Sequence, residues 1–159
     1  MKSNFSYYSK SQQFKEAKRI ENLVALHFRR KGCIVFKATR EDEFKDIDLY
    51  VDGEPYSVKN QQAVLKTGNL AFEEYDNGKM SWFLVGKSKF YAICWGSEIR
   101  IFETAFLKAR VLALEAEGKT KRKKLTTKQN KTNLKLRNTV FLLVKKEDVL
   151  DLVKEIIYI

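Results

Sequence analysis

The chain has one proline, one histidine, two cysteines and, across residues 118–138, no acid at all. Each scarcity excludes something. A single histidine leaves neither a His-based zinc site nor a Ser-His-Asp triad with candidates to choose from. His27 falls on the stripe of a predicted helix, where a core or boundary imidazole is its ordinary use. Cys33 and Cys94 stand far apart without zinc-ligand spacing and read as two buried thiols of a reducing cytosol. With Pro55 alone, linkers are scarce and residues 1–159 read as one domain. No apolar run approaches the roughly 18 residues of a membrane span, and Met1-Lys2-Ser3-Asn4-Phe5-Ser6 lacks a signal-peptide core. No Gly-x-x-x-x-Gly-Lys-Ser/Thr loop is present, so nucleotide hydrolysis has no support. The expected setting is the cytoplasm (that of a host cell if the protein is viral), with no membrane partner.

What is abundant is positive charge. The formal net charge is +11, which favours a polyanionic partner. Residues 118–138 hold nine lysines and arginines, so this one segment carries +9 and the rest of the chain +2. It reads as a basic loop or arm laid on a phosphate backbone. Lys119, Lys121, Arg122, Lys123, Lys124 and Lys128 are the expected DNA contacts, and the interleaved Leu125, Leu134 and Leu136 point to partial docking. Hydrophobic content of 44%, with 13% aromatic residues, is enough for a real core.

Periodicity predicts an amphipathic helix over 11–31, with Phe14, Ala17, Glu21, Val24 and Phe28 on one face and Gly32 as its stop. A short strand over 33–38 and a charged loop over 39–45 follow. Beyond a hairpin at 48–61 come an alternating stretch over 68–75, an Asn77-Gly78 turn and a segment over 80–86. Strands over 90–95 and 99–102 flank Gly96-Ser97. A helix over 103–117, a strand over 139–144 and a closing amphipathic helix over 147–158 complete the pattern. The expected class is α+β, a mixed central β-sheet flanked by helices, with a basic excursion at 118–138.

The hairpin carries the chemistry. Asp48 begins an alternating run, Asp52-Gly53 supplies the turn, and the return strand places Ser57, Lys59 and Gln61 on one face. A carboxylate beside a lysine suits metal-assisted phosphodiester hydrolysis, the carboxylate holding Mg²⁺ and the ammonium steadying charge. Glu21 lies inside the helix's apolar stripe, where a carboxylate needs a cation to receive it. Either Lys18 answers it at a rim, or Glu21 shares a metal with Asp48.

A helix with an inward acid, a strand, and a hairpin bearing Asp48 and Lys59, in that order, resembles the PD-(D/E)XK nuclease superfamily. The later Thr67-Gly-Asn-Leu-Ala-Phe-Glu73 and Lys87-Ser-Lys-Phe-Tyr91 are similar to a pattern seen after the lysine in phage-type members. The resemblance covers residues 21–91 and implies an αβββαβ core and a Mg²⁺-dependent DNA endonuclease, with Mn²⁺ as a substitute. It further implies a homodimer or higher oligomer acting on double-stranded or branched DNA, either a site-specific (homing-like) enzyme or a Holliday-junction resolvase. Carried over, Asp48 is the metal-binding aspartate, Lys59 the catalytic lysine and Glu21 the helix acid. Ser57 stands where the superfamily has an acid or amide. Gln61, Glu73, a Glu21–Asp48 pair alone or Asp46 in reserve are the candidates to compensate. The alternative is a catalytically inactive DNA-binding protein on the same scaffold.

Overall fold

The computed structural model describes residues 5–128 and 136–159, with side chains over 12–126 and 137–159. The fold is α+β, a mixed sheet flanked by helices, as expected. Helix α1 (Phe5–Arg30) starts six residues earlier than its pattern suggested. It buries Ile20, Val24 and Phe28, spaced four apart, with Glu21 and Ala25 beside them. Its end is closed as the sequence indicates. Gly32 takes φ 87°, Gly32 N–H donates to Arg29 O at 3.0 Å and Cys33 N–H to Phe28 O at 3.0 Å. These are the paired bonds of a glycine-terminated helix.

Strand β1 (Val35–Lys37) leads to a one-turn helix α2 (Arg40–Glu43) inside the stretch expected to be loop. Thr39 and Asp42 form a reciprocal capping box there, and that cap explains the turn. Strands β2 (Leu49–Val51) and β3 (Glu54–Asn60) make the hairpin, with Asp52 at φ 49° and Gly53 at φ 82°. Two left-handed residues in a two-residue turn match the strands' twist.

Next come α3 (Val64–Thr67), β4 (Asn69–Asp76), β5 (Lys79–Met80) and α4 (Trp82–Val85). β6 (Phe90–Trp95) then runs parallel to β3, and β7 (Glu98–Glu103) turns back beside it. Helix α5 (Thr104–Ala116) follows, then β8 (Lys121–Lys128) and β9 (Leu136–Lys145). Two 3-10 turns (Lys146–Asp148 and Leu150–Leu152) precede β10 (Val153–Tyr158).

Two expectations are overturned here. The closing segment is a strand antiparallel to β7, not a helix. Its β-branched Val153, Ile156 and Ile157 suit a pleated edge, and Ile157 is buried against the sheet. The basic excursion is not wholly a loop or arm: Lys121–Lys128 pairs with β9 along its length. Residues 129–135, with Leu134, lie outside the described residues, as does the side chain of Leu136.

There are two sheets rather than one. The first has the order β1-β2-β3-β6-β7-β10 and the second β5-β4-β9-β8. One core lies between α1 and the first sheet, where Val24 and Phe28 meet Leu49, Tyr56, Ala92 and Ile99. The other lies between the opposite face of that sheet, the second sheet and α5. There Tyr91, Ile93 and Phe102 meet Leu70, Phe72, Leu142 and Leu107. β6 supplies both, sending Ala92 and Cys94 one way and Tyr91, Ile93 and Trp95 the other. Burying a Val, Leu, Ile or Phe side chain in either core is worth about 1.5–3 kcal/mol.

Candidate active site

The site forms where β2 stops and β3 continues. β2 pairs with β3 only from Leu49↔Tyr56 to Val51↔Glu54, so beyond Tyr56 one edge of β3 loses its neighbour. The Val58 N–H must find another acceptor. Asp48 Oδ2 takes it at 2.7 Å, and the same oxygen lies 3.4 Å from Ser57 Oγ. Asp48 is thus fixed by the very break in pairing that opens the site.

Asp46 sits two residues earlier, on a loop turn at φ 60°, and its Oδ1 accepts from Lys59 Nζ. That conformation is uncommon for an aspartate and directs it back over the hairpin. Oδ2 of Asp46 is buried without a hydrogen-bond partner. Burial raises the Asp46 carboxyl above its ordinary range and Asp48 adds to the rise, against the pull of Lys59 and the Ser57 hydroxyl. Ser57 therefore stands between the two carboxylates.

Lys59 is held on its other side by an aromatic face, with Nζ 4.4 Å from the Trp82 ring centroid. α4 brings that ring in, and Gly86 at its end leaves room for Asp46. A Cβ there would lie 3.2 Å from Asp46 Oδ2 and 2.5 Å from Trp82 O. Within electrostatic reach of Asp46, the Tyr91 hydroxyl is buried with that of Ser88 beside it, and neither has a partner of full hydrogen-bond geometry. Burial first, and the nearby Asp46 charge second, push the Tyr91 phenol up. Lys108 of α5 comes within electrostatic reach of Asp46, and burial lowers its ammonium. A cleft of about 440 Å³ lined by Asp46, Ser81, Trp82 and Gly86 opens onto the cluster.

Glu21 is buried, 7% exposed, and reaches the site from α1. Its carboxyl is pushed up by burial, drawn part of the way down by Lys18 at 3.0 Å, and raised again by Asp48. Lys18 answers the Glu21 charge, as one of the two readings expected, though at a buried position rather than a rim, and Asp48 lies within electrostatic reach of it.

The other candidate residues are placed elsewhere. Both ends of the Gln61 amide are engaged by the Ala71 backbone, Nε2 to O at 2.9 Å and Oε1 from N at 2.8 Å. It ties β3 to the second sheet. Glu73 lies on the outer face of that sheet, bonded to Ser81 Oγ. Among the described residues, no three His, Cys, Asp or Glu side chains converge closely enough to enclose a metal ion. Asp48, Lys59, Ser57, Asp46 and Glu21 come together, then, while Gln61 and Glu73 do not.

The predicted DNA contacts divide by strand alternation. Lys121 and Lys123 face outward with Phe141 and Leu143, whereas Arg122 and Lys124 face the other way. Arg122 is taken up by the buried Glu74 at 3.0 Å and by Glu115 at 2.7 Å. Lys119 pairs with Glu117 at 2.9 Å. The Lys128 side chain is outside the described residues.

Trp82, Tyr91, Gly86 and Lys108 were not singled out for this site from sequence. They come from α4 and its end, β6 and α5, all distant in sequence from the hairpin, and only Asp46, on the same alternation as Asp48, carried a signal that could have promoted it. No protein-family model, no curated protein and no solved structure matches this chain. Among the described residues, no helix is long and apolar enough to cross a membrane.

Proposed function

We propose that this chain is a Mg²⁺-dependent endodeoxyribonuclease in which Asp46, Asp48 and Lys59 act together. The observation that carries the reading is a lysine clamped between a carboxylate and a tryptophan, beside a second carboxylate fixed at a strand break. The donor set is all hard oxygen, without thiolate or imidazole, and suits Mg²⁺ or Mn²⁺. Such an ion needs only one or two carboxylates and takes water and phosphate oxygens for the rest. The unpartnered Asp46 oxygen, with Asp48 and Glu21 at hand, fits that demand. When bound, the ion polarises a phosphate oxygen and acidifies a coordinated water.

Lys59 is pre-positioned, so its ammonium stabilises charge developing on the phosphate without reorganising. Asp46 takes the part that Ser57 cannot, since a hydroxyl adds no charge. The partner is DNA, met by the lysines that flank the site. Cutting two strands at symmetry-related sites favours a homodimer. Free thiols at Cys33 and Cys94 agree with a cytoplasmic setting.

The test is nicking of supercoiled plasmid and of a four-way junction with Mg²⁺ or Mn²⁺. Asp48→Asn, which keeps an acceptor for Val58 N–H, Asp46→Asn and Lys59→Ala should each lower the rate at least ~100-fold. Undiminished cutting by all three variants would place the site elsewhere. Equal cutting of junctions of any sequence marks a resolvase, and one preferred duplex site marks a homing-type enzyme.

A second reading, a non-catalytic DNA-binding protein, is favoured by Ser57 and by the pairing of Asp46 with Lys59. It predicts DNA binding with no metal-dependent nicking by the wild type.

A further inference from the structure

The outer face of the second sheet is bordered by the segment 60–69, which includes α3, and does not resemble ordinary surface. Its inner face is core, so Leu70, Phe72, Leu142 and Val144 are buried. The outward apolar set from the same strands is Ala71, Phe141 and Leu143, half-buried, with Leu125 43% exposed, and Glu73, bonded to Ser81 Oγ, shares the face beside Phe141. Three adjoining hollows of about 400, 190 and 290 Å³ run along this face and share lining residues. The first is rimmed by Lys121 and Lys145, by Lys119, which pairs with Glu117, and by one acid, Glu147. The second is floored by Phe141, Leu143 and Leu125, with Lys123 at its edge. The third begins at Phe141 and ends at Trp82 and Lys59.

We infer that this face is a groove for single-stranded nucleic acid, which lies with its bases on the apolar floor and its phosphates against the lysine rim. The chemistry selects that ligand. An apolar protein segment would satisfy the floor but leave Lys121, Lys123 and Lys145 with little to neutralise them. A duplex would satisfy the lysines but keep its bases stacked away from Phe141. An unpaired strand meets both, because every base has a face to stack and every nucleotide a phosphate to neutralise. Along β9 the span from Lys145 to Phe141 is about 13 Å at the usual strand rise. The third hollow then delivers the strand to Lys59. That last step rests on the nuclease reading, whereas the binding does not.

The experiment is fluorescence anisotropy in EDTA with labelled oligothymidine, oligouridine and a hairpin duplex of equal length. A single strand, of either sugar, should bind at least ~10-fold more tightly than the duplex, with stacking on Phe141 as the source of the difference. With three phosphates neutralised, log affinity should fall with log salt at a slope of about −2. Phe141→Ala should weaken binding about 10-fold, and Phe141→Tyr, which keeps a ring, should restore it. Lys123→Ala should weaken binding and flatten the slope by about 0.7, while Lys124→Ala, on the opposite face of the same strand, should not.

Equal affinity for duplex would overturn the inference, as would equal effects at Lys123 and Lys124. So would a dimer on size-exclusion chromatography that Phe141→Ala dissolves, since the face would then belong to a second copy. Asp48→Asn separates the two proposals, because Asp48 lines none of the three hollows: it should lower nicking and leave oligothymidine binding in EDTA in place, so either property can fail without the other.

Discussion

Asp46 is the residue on which the site depends, and two neighbours constrain it. Gly86 has φ −58°, an ordinary backbone angle, so its role is spatial rather than conformational. Gly86→Ala should lower stability by about 1–3 kcal/mol, read as a drop in melting temperature, because the new methyl meets the Trp82 carbonyl and the Asp46 carboxylate. Glu21 gives a pH test. Its folded carboxyl titrates above its unfolded value, chiefly through burial. Such a group contributes stability that is present below the unfolded pKa and is lost as pH rises through the folded one. Glu21→Gln cannot ionise, so its stability relative to wild type should improve as pH rises above about 4 in urea unfolding. A difference that does not change with pH would mean that Glu21 carries its charge at little penalty.

Among the elements, β8 shows how one strand serves two purposes by alternation. Its inward Arg122 covers the buried Glu74, so Arg122→Ala leaves a buried carboxylate short of a partner. The expected loss is about 1–2 kcal/mol, limited because the arginine itself is half-exposed. Arg122→Ala combined with Glu74→Leu should recover most of it, measured by urea titration. The hairpin of β2 and β3 was legible because everything that defines it is local: an Asp-Gly turn, alternation on either side and one lysine. The end of α1 was legible for the same reason. β8 was not, because a run such as Lys121-Arg-Lys-Lys124 has no apolar alternation of its own and becomes a strand only by pairing with β9. β10 was misread because Leu150, Val153 and Ile157 fit helical spacing as well as a strand, and only the free edge of β7 decides. In the site, Asp48 and Lys59 could be found from spacing. Trp82, Gly86 and Tyr91 could not, since nothing in the sequence says that α4 and β6 come back to the hairpin.

The molecule as a whole is two cores joined through β6, and this predicts indivisible unfolding. Val24→Ala removes volume beneath α1, yet Trp82 and Trp95 both belong to the opposite core. It should nevertheless lower the midpoint of the tryptophan fluorescence transition, by about 2 kcal/mol in stability, in step with far-UV circular dichroism. Separate midpoints would mean that the two cores melt apart. The second sheet also has a history in time. β4 is synthesised first, but its partner β9 leaves the ribosome roughly 60 residues later. At ordinary elongation rates that is a wait of about 3–12 s, with Leu70 and Phe72 bare and one edge of β4 unpaired. Nascent chains stalled after α5 should therefore be sticky, recruiting chaperones or aggregating, while chains released past β9 are not.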